Sequence, residues 1–313
     1  MDAYYERLRA RAQRTFQSIS IKDALKNTRA IVGPRIAPGD DPDGLAQQAL
    51  DMLQEGDPDN MPSPKQLAAL ELVVRTMRPA PLAQNGELQE LNQDFKEVFP
   101  NWDSFRQSVK PFLYSIGRIN TLPDEGVGTG FLVADGILVT NKHVLDKLST
   151  GTYVLEKGQA VVDFKHEYDS ATEPPVDIIG VRAVHQTLDM VLLELAKTDS
   201  GRPPLKVSTT VATPGQQVVA IGYPFNDTFD NPQFVGAIFG NDFGVKRAAP
   251  GEVVELGKQS LFHDCSTLGG NSGSPVISMD TVNVLGLHCS GRFVYRNEAV
   301  CAAALGQFVQ SNI

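Results

Sequence analysis

Along the first quarter of the chain, apolar residues recur every three or four positions. Tyr5, Leu8, Ala12, Phe16 and Ile19 make one helical stripe, and Leu45, Ala49, Leu50 and Leu53 make a second. A third helix carries its own start signal. Ser63 precedes Gln66 by three residues, with Pro64 at the first helical position, and Leu67, Leu70, Val74 and Met77 then share one face. Arg78-Pro79-Ala80-Pro81 ends it, because proline lacks an N–H and restricts the residue before it. Weaker helical patterns follow at Leu88, Leu91, Phe95 and Val98, then at Trp102, Phe105 and Val109. From about residue 113 the period changes to short β-rich runs separated by Gly, Pro, Asn or Asp. They are Gly130 to Val133, Ile137 to Thr140, Tyr153 to Leu155, Met190 to Leu195, Gln217 to Ile221, Gly251 to Leu256, Ser274 to Ile277 and Val282 to Leu287. Strands at this spacing, without long helices between them, predict an antiparallel sandwich or barrel. The change of period divides the chain into a helical unit (1–78), a connector (79–112) and a mainly β domain (113–313).

Three segments of the β region place a reactive group beside permissive backbone. Gly128-Thr129-Gly130 leads a strand that precedes Val139-Thr140-Asn141-Lys142-His143-Val144, where a histidine closes an apolar run and opens a short turn at a barrel edge. Asp189 stands at the mouth of the apolar run Met190 to Leu195. Taken singly, His143 reads as a packed histidine and Asp189 as a turn residue or cap. The third segment, Thr267-Leu268-Gly269-Gly270-Asn271-Ser272-Gly273-Ser274-Pro275, surrounds a serine with glycines. Such a backbone can turn sharply and aim two N–H groups at one point, as an oxyanion hole requires, or it is a plain glycine-rich turn.

Together the order His143, Asp189, Ser272 and the surrounding residues resemble the chymotrypsin-like (trypsin-like) serine peptidases. The resemblance covers about residues 113–313. It is closest to the bacterial branch of glutamyl endopeptidases and Htr-type proteases, which read T-x-x-H-V and G-N-S-G-S-P at these places. It implies a mainly β fold, a chymotrypsin-like double β-barrel of two six-stranded barrels, here preceded by a small α-helical domain. It further implies a serine endopeptidase acting on a protein substrate, with His143, Asp189 and Ser272 as catalytic triad and the N–H groups of Gly270 and Ser272 as oxyanion hole. Asn271 departs from the zymogen pattern, in which an aspartate pairs with a newly cut N-terminus, so activation by that route is not expected and control falls to the helical unit or a partner. The same alignment puts Thr267 and His288 on the wall of the primary specificity pocket. A hydroxyl and an imidazole can hydrogen-bond a carboxylate, which predicts a preference for Glu or Asp before the cut; the plainer reading of His288 is a packed strand residue. Ser266, near the pocket floor, is neutral and speaks against Lys or Arg selection. Arg292 either assists or is solvated.

Composition adjusts this picture only in part. With 313 residues, 42% hydrophobic and 21% charged, the chain is neither disordered nor fibrous. A net charge of −9 argues against nucleic acid as the main partner. The charge is uneven: residues 1–35 carry eight Lys/Arg against three Asp/Glu, and residues 36–64 carry seven Asp/Glu and no Lys/Arg. These are ordinary solvated faces, or they face each other, or one recruits a partner. The three cysteines, Cys265, Cys289 and Cys301, are expected to be reduced thiols. No apolar run approaches the roughly 18 residues of a membrane span, and the opening MDAYYERLRARAQRTF lacks the apolar core of a secretory signal. A cytoplasmic location is therefore expected.

Competing chemistries fit less well. An α/β-hydrolase elbow needs G-x-S-x-G and the order Ser, acid, His, whereas Ser274 occupies the last position of that motif and only His288 follows Ser272. His143, His166, His185, His263 and His288 show no zinc spacing, so neither a metal nor another cofactor is expected. The architecture is similar to bacterial proteins in which a helical adaptor-like or death-fold-like domain precedes a trypsin-like peptidase in defence signalling. That similarity implies a regulated cytoplasmic endopeptidase, an adaptor or effector partner bound through residues 1–78, and one protein substrate cut once. The alternative is a catalytically inactive peptidase-fold binding or scaffold protein, which the intact triad and glycine-rich loop weigh against. A membrane-surface role for the Arg-rich first helix is disfavoured by Asp2 and Glu6.

Overall fold

A computed structural model describes residues 3–32, 42–57, 59–123, 125–149, 153–155, 158–197, 201–226, 232–292 and 296–313. The chain begins with four helices: α1 (Ala3–Ser18), α2 (Ile21–Val32), α3 (Pro42–Glu55) and α4 (Pro64–Thr76). The first stripe ends as a helix at Ser18, and Ser20 then caps α2 by accepting from the Asp23 N–H at 3.1 Å. At α4 the expected capping box is present. Ser63 Oγ accepts from the Gln66 N–H at 3.4 Å, and Gln66 Oε1 accepts from the Ser63 N–H at 2.8 Å. A two-strand hairpin, β1 (Ala83–Gln84) and β2 (Glu87–Leu88), leads to short helices α5 (Gln93–Val98) and α6 (Trp102–Val109) and a 3-10 turn, Lys110–Ser115.

The rest folds as two closed antiparallel barrels of six strands each, the double barrel that the resemblance implies. The first comprises β3 (Ile116–Thr121), β4 (Glu125–Ala134), β5 (Ile137–Thr140), β6 (Ala160–Asp163), β7 (Val176–Val184) and β8 (Val191–Leu195), with helix α7 (Lys142–Leu148) between β5 and β6. The second comprises β9 (Gln217–Gly222), β10 (Arg247–Leu256), β11 (Ser260–His263), β12 (Pro275–Ser278), β13 (Val284–Arg292) and β14 (Arg296–Cys301). Helix α8 (Pro232–Phe239) lies between β9 and β10, and α9 (Ala302–Asn312) follows β14.

Three local expectations are corrected. Leu88 and Leu91 do not share a helix with Phe95 and Val98: Leu88 lies in β2, and α5 begins only at Gln93, where Asn92 caps it. Tyr153 to Leu155 is not a strand: Tyr153 has φ +54°, and Val154 is 64% exposed, so the apolar pair has no sheet to pack into. His143 opens the helix α7 rather than a short turn, because Val144, Leu145 and Leu148 bury one helical face.

Apolar packing is continuous from the helices into the second barrel. One cluster joins Leu8 and Ala12 of α1, Leu70 and Val74 of α4, and Trp102 and Phe105 of α6 to Ile221, Ile277 and Leu287 of the strands. Separate clusters fill the interiors of the first barrel, around Ile119, Leu138 and Leu193, and the second, around Val218, Val253 and Val276. Among the described residues no helix is long and apolar enough to cross a membrane.

Candidate active site

His143 lies in the first turn of α7, where β5 ends, and Asp189 lies in the turn that opens β8. Their side chains meet: His143 Nδ1 is 2.6 Å from Asp189 Oδ2, and the His143 N–H donates to Asp189 Oδ1 at 3.0 Å. Asn141 Nδ2 donates to the Asp189 carbonyl at 2.8 Å, tying the two turns together. The aspartate turn is itself held by a residue the motif reading passed over. His185 Nδ1 accepts from the N–H groups of Thr187 and Leu188, at 3.2 and 2.9 Å.

Partial burial pushes the Asp189 carboxyl up, but the hydrogen bond and charge of His143 and the N–H groups of His143 and Lys142 outweigh it, so the group titrates below its ordinary value. An ionised carboxylate only accepts hydrogen bonds. The neutral imidazole therefore carries its proton on Nδ1 and leaves the Nε2 lone pair free to take one.

Ser272 stands on the turn before β12. Asn271 N–H donates to Leu268 O at 3.1 Å and Ser274 N–H to Asn271 O at 2.9 Å. Gly270 and Gly273 both adopt φ +88°, and a Cβ at Gly273 would lie 1.9 Å from the Thr129 carbonyl oxygen, so only glycine fits. The carbonyls of the turn point toward β4: Thr129 Oγ1 donates to Gly270 O at 2.7 Å and the Thr129 N–H to Ser272 O at 2.8 Å. Gly273 N–H donates to His288 O at 2.8 Å. The N–H groups of Gly270 and Ser272 have no acceptor among the described residues.

Gly128 brings the histidine and the serine turn to the same place, one from each barrel. A Cβ there would lie 2.7 Å from Val144 Cγ2 and 3.2 Å from Ser272 O. No hydrogen bond joins Ser272 Oγ to His143 in this conformation. All three side chains are half-buried and so open to a substrate.

The pocket residues are disposed differently. His288 on β13 is 3% exposed, with Nδ1 3.2 Å from His263 Nε2 and the rings edge to face at a centroid distance of 5.3 Å. Burial lowers His263 to about 3 and holds His288 well below the usual imidazole value, assisted by the neighbouring histidines. Thr267 approaches β13 at Gly291, with Oγ1 3.6 Å from where a Cβ would stand, and no hydrogen bond links it to His288. Ser266 Oγ turns away from solvent and donates to the Arg78 carbonyl at 2.6 Å. The side chain of Arg292 lies outside the described residues. Cys265, Cys289 and Cys301 are free thiols, and burial pushes Cys289 up to about 12.

Sequence reasoning also missed His263 and Asp264. The only signal for His263 was its place two residues after Leu261 on a strand whose alternate side chains are buried.

Comparison with known proteins gives a consistent result. Residues 128–287, just over half of the 313-residue chain, match the family model described as trypsin-like peptidase domain. A probable serine protease of Lysobacter enzymogenes is 25% identical over 284 residues, covering 75% of this chain and 73% of that protein. A glutamyl endopeptidase of Staphylococcus epidermidis is 25% identical over 59% of this chain and 62% of its own length, less than two thirds of that relative. Among solved structures, a serine endoprotease from Yersinia pestis superposes with a TM-score of 0.50 at 17% identity, covering 67% of this chain and 66% of that one. That last likeness is one of fold.

Proposed function

The chain belongs to the trypsin-like peptidase family, a family of serine peptidases, and on that premise we propose that His143, Asp189 and Ser272 hydrolyse peptide bonds of a protein substrate through an acyl-enzyme. Serine is a weak nucleophile at neutral pH. His143 Nε2 takes the Ser272 Oγ proton as the oxygen attacks the carbonyl, then returns it to the leaving amine. Asp189 keeps the imidazole in the tautomer that can do this and stabilises the imidazolium that forms. The developing oxyanion is met by the N–H groups of Gly270 and Ser272. Water then enters, His143 deprotonates it, and the acyl group leaves as a carboxylic acid.

One observation carries the reading: a 2.6 Å Asp189–His143 contact faces a serine turn whose two N–H groups have no acceptor among the described residues. The serine and histidine are not hydrogen-bonded in this conformation, and contacts of this kind commonly tighten only in the substrate complex. Ser272→Ala in the full chain is expected to lose at least about 10³-fold in turnover while unfolding at the same denaturant concentration. Turnover within tenfold of the parent, above a contamination control, would refute the assignment.

The preference for an acidic residue before the cut is supported by the histidine pair. His263 Nδ1 is buried without a partner. An orphaned buried N–H is costlier than an orphaned lone pair. His263 Nε2–H therefore donates to His288 Nδ1, which leaves His288 Nε2 protonated in the neutral ring. That N–H and the Thr267 hydroxyl are the donors we assign to the substrate carboxylate. Peptides differing only in the residue before the cut test this. Selection of Glu or Asp is expected, and selection of Arg or a large apolar residue would refute it. The proposal extends to a cytoplasmic endopeptidase with a specific protein target, controlled through its helical segment.

A further inference from the structure

Among the described residues, the most heavily charged buried region is not at the catalytic centre. It lies where α1 and the end of α4 meet the segment that leads to Thr267. Asp264, with a fully buried side chain, accepts from Arg11 Nε at 3.2 Å and from Arg78 Nε at 2.9 Å through one carboxylate oxygen. Its other oxygen accepts from the Glu252 N–H at 2.7 Å. Arg75 Nη1 donates to the Asp264 carbonyl at 3.3 Å, and the Arg78 carbonyl takes the Ser266 hydroxyl at 2.6 Å. Glu71 of α4 completes the set by accepting both bonds of Arg11 Nη1, at 3.0 and 3.1 Å.

Arg11, Arg75 and Arg78 of the helical segment therefore each meet Asp264 or Ser266, the residues just before the pocket wall, while Glu71 holds Arg11 and Arg75 from within α4. The catalytic turn is held by other residues, Thr129 of the first barrel and the backbone of Phe225 and His288, and none of these bonds involves Arg11 or Arg78. Four arginines lie in or beside the set. Arg14, the fourth, is bidentate to Glu252 at 2.7 and 2.9 Å. A guanidinium fork that meets a carboxylate in a buried site fixes direction as well as distance, and a point charge does not.

We propose that Arg11 and Arg78 are positioning residues for the specificity pocket: through Asp264 and Ser266 they set the backbone that carries Thr267. The helical segment is then part of the peptidase's recognition apparatus, an anchor supplied by the same chain without any cleavage to release it. The inference rests on the proposed peptidase reading for what the pocket binds, and on geometry alone for what holds it.

The test uses the full chain and Arg11→Gln, which leaves Arg78 on Asp264. Hydrogen exchange of residues 264–268 should quicken at least tenfold, with β5 and β8 of the first barrel unchanged. For a pair of peptides that differ only in the residue before the cut, the ratio of kcat/KM should fall at least fivefold. Labelling of Ser272 by a small fluorophosphonate, which places nothing in the pocket, should stay within twofold. Arg11→Lys keeps the charge, loses the fork and should fall between parent and Arg11→Gln in both readouts, so it decides the matter if Arg11→Gln does not fold. Unchanged exchange at 264–268, an unchanged peptide ratio, or an equal loss in labelling and peptide cleavage would each overturn the proposal. Absent labelling of the parent chain would instead refute the peptidase reading, and the exchange measurement would still decide the positioning claim.

Discussion

The chemistry depends on which atoms carry protons. Asp189 titrates below its ordinary value because its bonds from His143 and Lys142 exceed the cost of burial. An amide at this position could donate to Nδ1 and reverse the tautomer. Asp189→Asn is therefore expected to lower kcat by about 10⁴-fold with little change in fold, because the wrong tautomer leaves no base for the serine proton; pre-steady-state acylation rates would measure it. His263 offers a second residue-level test. Its folded value of about 3 lies below the ordinary 6.5, so the unfolded chain binds its proton first as pH falls. Its contribution to stability is complete above pH 6.5 and is lost progressively toward pH 3, at no more than about 1.4 kcal/mol per pH unit. Denaturant titrations from pH 7 to 4 should show a shallower decline in His263→Gln than in the parent. Of these residues, His143, Asp189 and Ser272 were legible because each sits in a short motif of permissive backbone. His263 and Asp264 were not, since their roles depend on partners 25 residues away on β13 and 253 away on α1.

Elements were legible where local chemistry alone defines them. Helix α4 announces itself through Ser63, Pro64 and Gln66, and Ser63→Ala should cost about 1 kcal/mol in chemical denaturation. Strands β5, β8 and β9 follow apolar runs and came close to their observed bounds. β3 and β7 escaped notice because Gly117, Arg118 and Asn120, or Gly180 and Arg182, interrupt the pattern that cross-strand neighbours restore in the closed barrel. The charges of α1 were legible as a basic face but not in their destination. Arg7, Arg11 and Arg14 reach Glu255, Asp264 with Glu71, and Glu252, acidic residues of the second barrel and α4. Removing Asp264 would leave Arg11 and Arg78 buried without that carboxylate. Asp264→Ala should therefore cost about 3–5 kcal/mol, read from denaturant unfolding of the full chain.

At the scale of the whole molecule, the helices and the second barrel share one apolar cluster, and a buried ionic set closes the seam beside it. Residues 1–112 carry 14 Lys/Arg against 16 Asp/Glu and residues 113–313, which hold both barrels, carry 14 against 21, so most of the net −9 falls on the latter. That field repels an acidic side chain at a distance. Selection of one must come from donors within the pocket, which places the burden on His288 and Thr267. The account as a whole stands on a serine nucleophile activated by His143. It is tested most directly by mixing the full chain with an activated ester of a short acidic peptide and following intact mass through the first turnover. A transient adduct of one acyl group on Ser272, slowed by at least about 10³-fold in His143→Ala, is the predicted result. Hydrolysis with no acyl adduct, or an adduct on another residue, would contradict it.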